Sequence, residues 1–75
     1  MRLTAEGERV AAKLKEWRTA EAKRLRIPAY LLLNDRTIAS LAQARPKNPN
    51  QLLQVDGIGP AKAEKFGDTL LGLCN

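Results

Sequence analysis

Leu52-Leu53-Gln54-Val55-Asp56-Gly57-Ile58-Gly59-Pro60-Ala61-Lys62-Ala63-Glu64-Lys65-Phe66-Gly67 is the stretch on which the fold turns. It reads as a brief helix, a tight glycine turn and a longer helix. The brief helix starts at Asn48 and buries Leu52, Leu53 and Val55. Pro49 takes its first position, where a missing N–H is harmless, and Gln51 completes a pattern like a capping box. Asp56-Gly57 breaks it. The last helix begins after Gly59, with Pro60 again at the first helical position. Ala63, Phe66, Gly67, Leu70 and Cys74 then continue one face to the end. The period does not slip at Gly67, which favours one continuous helix with Gly67 allowing close packing. A break there is the alternative, because an interior glycine costs about 1 kcal/mol against alanine.

Upstream, Asn34 or Asp35 caps another helix, which buries Ile38, Leu41 and Ala42 and stops at Arg45-Pro46. Ala29 to Leu33 is an apolar run with no partner strand elsewhere, read as an irregular or 3₁₀ turn pressing its leucines into the core. The first helix runs from Thr4, its N-cap, to about Arg24. Leu3, Gly7, Val10, Leu14 and Trp17 fall on one face, and Ala11, Leu14, Arg18, Ala22 and Leu25 widen that stripe. Trp17 lies at its centre and is expected in the core. Arg18, at its edge, is expected to form a structural ion pair with Asp35. Ile27-Pro28 ends the helix, because proline pushes the residue before it out of the α region. Glu6 and Glu8 near the start and Lys23, Arg24 and Arg26 near the end suit the helix dipole. The expected fold class is therefore all-α, with four helical segments legible.

The chain has 75 residues, enough for one domain spanning 1–75 with a thin core. Residues 1–8 are expected to include the end of an interdomain linker, with a domain boundary inside a longer parent. Hydrophobic residues make up 44% and charged residues 28%, too apolar for a disordered chain. There is no histidine and one cysteine, Cys74. That composition excludes a His general base, a Ser–His or Cys–His pair and a Cys/His zinc site. The eight acids are scattered, so no acid–base or magnesium site is supported. Catalysis, a metal and a cofactor are not expected. Cys74 is expected to be a buried apolar thiol. No apolar stretch approaches the ~20 residues of a membrane span, and Met1 to Val10 has no signal-peptide core. The expected home is the cytoplasm, at the nucleoid.

The net charge is +5 and is unevenly spread. Between Arg9 and Arg26 stand seven basic residues against Glu16 and Glu21, while the remainder carries six of each sign. All the net charge belongs to that segment, as expected of a phosphate-facing surface. A solvated basic helix face is the alternative. Tyr30, held by Pro28 beside Lys23, Arg24 and Arg26, could stack a nucleobase while the cations hold flanking phosphates. Its alternative is a boundary tyrosine with its ring in the core. The Gly57-Ile58-Gly59 turn could aim backbone N–H groups at an anion, with the helix N-terminus behind and Lys62 and Lys65 beside it. This element resembles a helix-hairpin-helix, whose hairpin touches DNA phosphates. A plain helix-joining turn is the alternative.

Leu14-x-x-Trp17-Arg18-x-x-x-Ala22, Ile27-Pro28-Ala29-Tyr30 and Asn34-Asp35-x-Thr37-Ile38-x-x-Leu41 together resemble the HRDC domain (helicase and RNase D C-terminal). The stretch from Leu52 to Gly67 continues the match. Its glycine turn looks most like bacterial RecQ helicases, with RNase D second. The resemblance implies a compact bundle of about five short helices, joined by a flexible linker to the catalytic core of an ATP-dependent DNA helicase. It implies weak, structure-dependent binding of single-stranded or partly duplex DNA; the expected molecule is a monomeric accessory domain that tunes substrate selection, its binding salt-sensitive because electrostatics dominates. Tyr30 matches the aromatic contact of some bacterial members, and Lys62 and Lys65 match basic positions. The competing reading is a docking module, on the helicase core or on another protein, with little direct DNA binding.

Overall fold

The computed structural model describes residues 2–75; Met1, the first residue of the expected linker remnant 1–8, lies outside the described residues. Five helices follow one another, α1 (Ala5–Leu25), α2 (Ala29–Leu32), α3 (Asp35–Ala44), α4 (Pro49–Leu53) and α5 (Pro60–Leu73). The expected all-α class holds.

Local chemistry sets each helix start. Thr4 Oγ1 accepts from the Gly7 amide at 3.0 Å, and Asn34 Oδ1 from the Thr37 amide at 2.7 Å, so Asn34 rather than Asp35 is the cap of α3. Asn48 Oδ1 does the same for Gln51 at 2.8 Å. The Gln51 side chain reaches back to the Lys47 amide, one residue before the usual capping-box position. Two helices end on arginines in the left-handed region, Arg26 (φ 59) after α1 and Arg45 (φ 45) after α3. The Arg26 and Ile27 amides close onto the last carbonyls of α1, so the helix stops before the Ile27-Pro28 step takes effect.

The core gathers Leu14, Leu33, Ile38, Leu41, Leu52, Leu70 and Cys74, all essentially without solvent contact. Truncating one such leucine to alanine costs about 2–5 kcal/mol, a large share of the stability of so small a domain. Gly7 lets α1 approach α3 closely, since a Cβ there would stand 3.2 Å from the Ala42 carbonyl oxygen. α5 is continuous through Gly67, as expected. A Cβ at Gly67 would meet only Leu52 Cδ2 at 3.7 Å, an ordinary contact, so close packing does not require that glycine.

Three expectations are corrected. Ala29–Leu32 is one turn of α-helix, and it buries Leu32 and then Leu33 while Leu31 stays 54% exposed. Leu53 is 42% exposed, because α4 is a single turn and only Leu52 of the pair faces α5. Trp17 is partly buried at the margin of the core, its ring edge-to-face with Phe66.

Gly57 is the one glycine whose backbone demands it. Its φ is +92°, and a Cβ built there would lie 2.1 Å from Thr37 Oγ1. Gly59 has an extended backbone and open space beyond it. Gly57→Ala is expected to cost about 2 kcal/mol or more, lowering the thermal midpoint by about 10 °C. Gly59→Ala should stay within about 4 °C of the parent. Differential scanning calorimetry of the two variants checks the contrast.

Burial pushes the Cys74 thiol up to about 11 from 9.0, with Arg45 and Lys13 opposing the shift. The folded state therefore holds this proton more tightly than the unfolded chain does. Stability that is complete below pH 9 is lost as the pH rises toward 11. A disulfide reagent at pH 8 is expected to label Cys74 only after denaturant is added. Rapid labelling of the native domain would contradict this burial.

Candidate nucleic-acid interface

The geometry that matters is the pairing of α1 with α5. Phe66 of α5 meets Trp17 of α1, with ring centroids 5.3 Å apart and planes at 75°. The Lys65 charge is felt by Glu21, one helical turn further along α1. At the opposite end of α5, Leu73 shares a cleft with Lys13, Trp17 and Ala20, and Asn75 shares one with Glu6 and Arg9. The two helices thus run antiparallel. The start of α5, with Lys62 and Lys65, is thereby directed toward the stretch of α1 that carries Lys23, Arg24 and Arg26, while the glycine turn packs on α3, where Gly57 meets Thr37 and Asp56 meets Arg36. Of the two clusters read separately in the sequence, Lys65 is the member brought to α1, at Glu21.

Tyr30 sits on α2 and is 67% exposed. Its position is held from below by Leu32 and Leu33, both buried. It is held from the side by Arg18, whose Nη1 donates to the Leu33 carbonyl at 2.9 Å and to Asp35 Oδ1 at 2.8 Å. The expected Arg18–Asp35 pair is therefore present and locks the α2–α3 junction onto α1. The core-facing alternative for the tyrosine ring does not hold.

The cations of this end are not equivalent. Lys23 and Arg26 are exposed and make no ion pair among the described residues. Arg24 is held by Glu21 in a two-point contact, Nε to Oε1 at 2.9 Å and Nη2 to Oε2 at 2.5 Å. That hydrogen bond holds the Glu21 carboxyl below its ordinary range, and the charges of Arg24 and Lys65 add to the effect. Lys65 rests its Nζ 5.4 Å from the Phe66 ring centroid, and Lys62 is partly buried one turn earlier. Glu21 therefore stands between cations of two helices and reduces the positive field there. Its i,i+3 spacing to Arg24 was a legible signal for this pair.

The glycine turn differs from expectation in one respect. Ile58 is buried, and its amide donates to the Val55 carbonyl at 3.1 Å, so that N–H is not free for an anion. The Gly57 and Gly59 amides have no hydrogen-bond partner among the described residues. Nor do the first amides of α5 gain one within the helix. Arg36, from the first turn of α3, reaches Asp56 at 3.4 Å and adds a cation beside the turn. No local pattern announced it, because the contact spans two helices. Among the described residues no group of three His, Cys, Asp or Glu could hold a metal, and no helix is long and apolar enough to cross a membrane.

The HRDC domain profile matches residues 7–74. Curated relatives include the ATP-dependent DNA helicase UvrD2 of Mycobacterium tuberculosis (strain H37Rv), 35% identical over 66 residues, with 88% of this chain and 9% of that protein covered. RecQ of Haemophilus influenzae is 36% identical over 62 residues, covering 83% of this chain and 10% of its own length. Ribonuclease D of Granulibacter bethesdensis is 39% identical over 56 residues, covering 73% and 14%. The chain thus spans about a tenth of the length of the curated relatives it matches. RecQ and RNase D were the expected kin; UvrD2 is an addition. Among solved structures, HRDC domain 3 of D. radiodurans RecQ superposes with a TM-score of 0.88 at 24% identity, covering 95% of this chain and 93% of that one, a likeness of fold. With the family profile spanning nearly its whole length, this chain belongs to the HRDC domain family.

Proposed function

We propose that this domain is a non-catalytic accessory module of a DNA helicase of RecQ type, binding single-stranded or partly duplex DNA weakly and tuning substrate selection. One observation carries the reading: an exposed tyrosine on a braced one-turn helix, in a segment that also carries the exposed Lys23 and Arg26, which make no ion pair among the described residues. A flat ring with cations around it suits a strand whose bases can stack while its phosphates find charge, without sequence readout. The Gly57 and Gly59 amides, with open space beyond Gly59, allow a phosphate to approach the backbone. Tyr30, Lys23, Arg26, Lys62 and Lys65 are assigned direct contact. Arg24 contributes after exchanging Glu21 for a phosphate, and Ile58 serves to anchor the turn. The domain acts as a monomer tethered to its parent's catalytic core, in the cytoplasm at the nucleoid.

Docking on the catalytic core is the second reading. The exposure of Leu31 and Leu53, and the cancellation of Arg24 by Glu21, favour it.

Fluorescence anisotropy of a labelled single strand at ~50 and ~200 mM salt separates the two. Neutralising about three phosphates gives a log–log salt slope near −2. Tyr30→Ala, folded by circular dichroism, is expected to weaken binding by about fivefold to a hundredfold, from a stacking contribution of about 1–3 kcal/mol. Glu21→Gln is expected to strengthen it severalfold by freeing Arg24 and Lys65. Absence of binding at ~50 mM salt would overturn direct DNA recognition and leave docking as the function.

A further inference from the structure

Away from the tyrosine end, α1 and the last turns of α5 leave an open cleft of about 370 Å³ lined by Lys13, Glu16, Trp17, Ala20 and Leu73. That size lies at the small end of ligand pockets, about 300–1,000 Å³, and suits a side chain rather than a cofactor. Its apolar wall is Trp17, Ala20 and Leu73, and Phe66 braces the indole from behind. A half-covered, braced tryptophan is the residue type that dominates protein interfaces. Lys13 lines this cleft and also a smaller neighbouring one of about 160 Å³ that contains Arg9 and Arg45. There Arg45 is engaged by Glu6, whereas Arg9 and Lys13 have no acidic partner among the described residues. The two clefts meet at Lys13, so the apolar surface at Trp17 has basic groups one and two helical turns away, about 6 and 12 Å along α1.

We propose that the clefts together make a groove that docks a short acidic peptide segment of a partner protein, with one bulky apolar side chain seated on Trp17 and Leu73 and carboxylates reaching Lys13 and Arg9. At about 3.3 Å per extended residue, the acids fall two to four residues from the apolar anchor. A peptide can set a neutral residue beside Glu16 on the rim and its carboxylates at Lys13 and Arg9, whereas a nucleic-acid strand carries a phosphate at every residue and meets Glu16 with like charge. The groove is distinct from the Tyr30 end, so the domain can hold a strand and a peptide together. The site stands whether or not the Tyr30 end binds DNA.

Trp17 is the only tryptophan, so its emission reports the cleft directly. The probe is an acetylated peptide with a Leu-Phe pair followed, after one glycine, by three aspartates, titrated into the domain at low salt. The expected result is a saturable blue shift of Trp17 emission that is absent with the lysine counterpart of the peptide. Lys13→Glu should weaken binding by about tenfold or more. Ala20→Leu, which fills the cleft from an exposed helix position and keeps the fold, should abolish the shift. Tyr30→Ala should leave it unchanged, which keeps this test separate from that of DNA binding. An unshifted emission at millimolar peptide, or a shift indifferent to Lys13→Glu and Ala20→Leu, overturns the proposal. A matching shift with single-stranded DNA, lost in Lys13→Glu, overturns it too and assigns the groove to nucleic acid.

Discussion

The 21-residue α1 has one apolar stripe, and the other helices must bury against it or against something already resting on it. Val10, Ala11 and Leu14 take α3 and the core, and Trp17 takes α5 through Phe66. A chain this short buries only about 60% of the surface of its unfolded form, so there is no second core to anchor a helix elsewhere. The antiparallel seating of α5 follows from this, and with it the approach of Lys65 to Glu21 near the basic end of α1. Function in this reading is a by-product of economy: groups far apart in sequence meet because there is one place for α5 to go.

Most of that architecture was legible in the sequence because it rests on local rules. Thr4, Asn34 and Asn48 announce helix starts through side chains that bond an amide three residues on. Pro49 and Pro60 mark first helical positions, and the Arg18–Asp35 pair follows from an arginine at a stripe edge facing a capped turn. What resisted reading were the single-turn pieces. A run such as Ala29–Leu33 is too short for its period to be measured, so which of its leucines faces inward is decided by the Arg18 grip on the Leu33 carbonyl, seventeen positions or fewer from either partner yet invisible to any pattern. Leu53 failed for the same reason. Ile58 failed differently: its side chain was legible as apolar, but its amide's internal bond to Val55 depends on the turn's closed geometry.

The charge pattern illustrates how far counting goes. Thirteen basic residues against eight acidic ones located the positive segment correctly, yet counting treated Lys23, Arg24 and Arg26 as equals. In the fold Arg24 is tied to Glu21, Arg18 and Arg45 are structural, and Arg36 arrives at the glycine turn from α3. Of the cations with no ion pair among the described residues, Lys23, Arg26, Lys62 and Lys65 belong to the proposed DNA site and Arg9 and Lys13 to the groove, while Arg2, Lys15 and Lys47 lie outside both. Exposed ion pairs contribute little to stability, about 0–1 kcal/mol, so their main consequence is to determine which charges a partner meets.

The account stands or falls on the claim that the end of α1, α2 and the start of α5 act as one surface. Amide chemical-shift mapping of the ¹⁵N-labelled domain with an unlabelled single strand tests it most directly. The account predicts concerted shifts over Lys23–Leu31 and Gly57–Lys65, with a common affinity and little change at Arg9–Lys13. Shifts confined to one of those segments, or centred on the Trp17–Leu73 cleft, would contradict it.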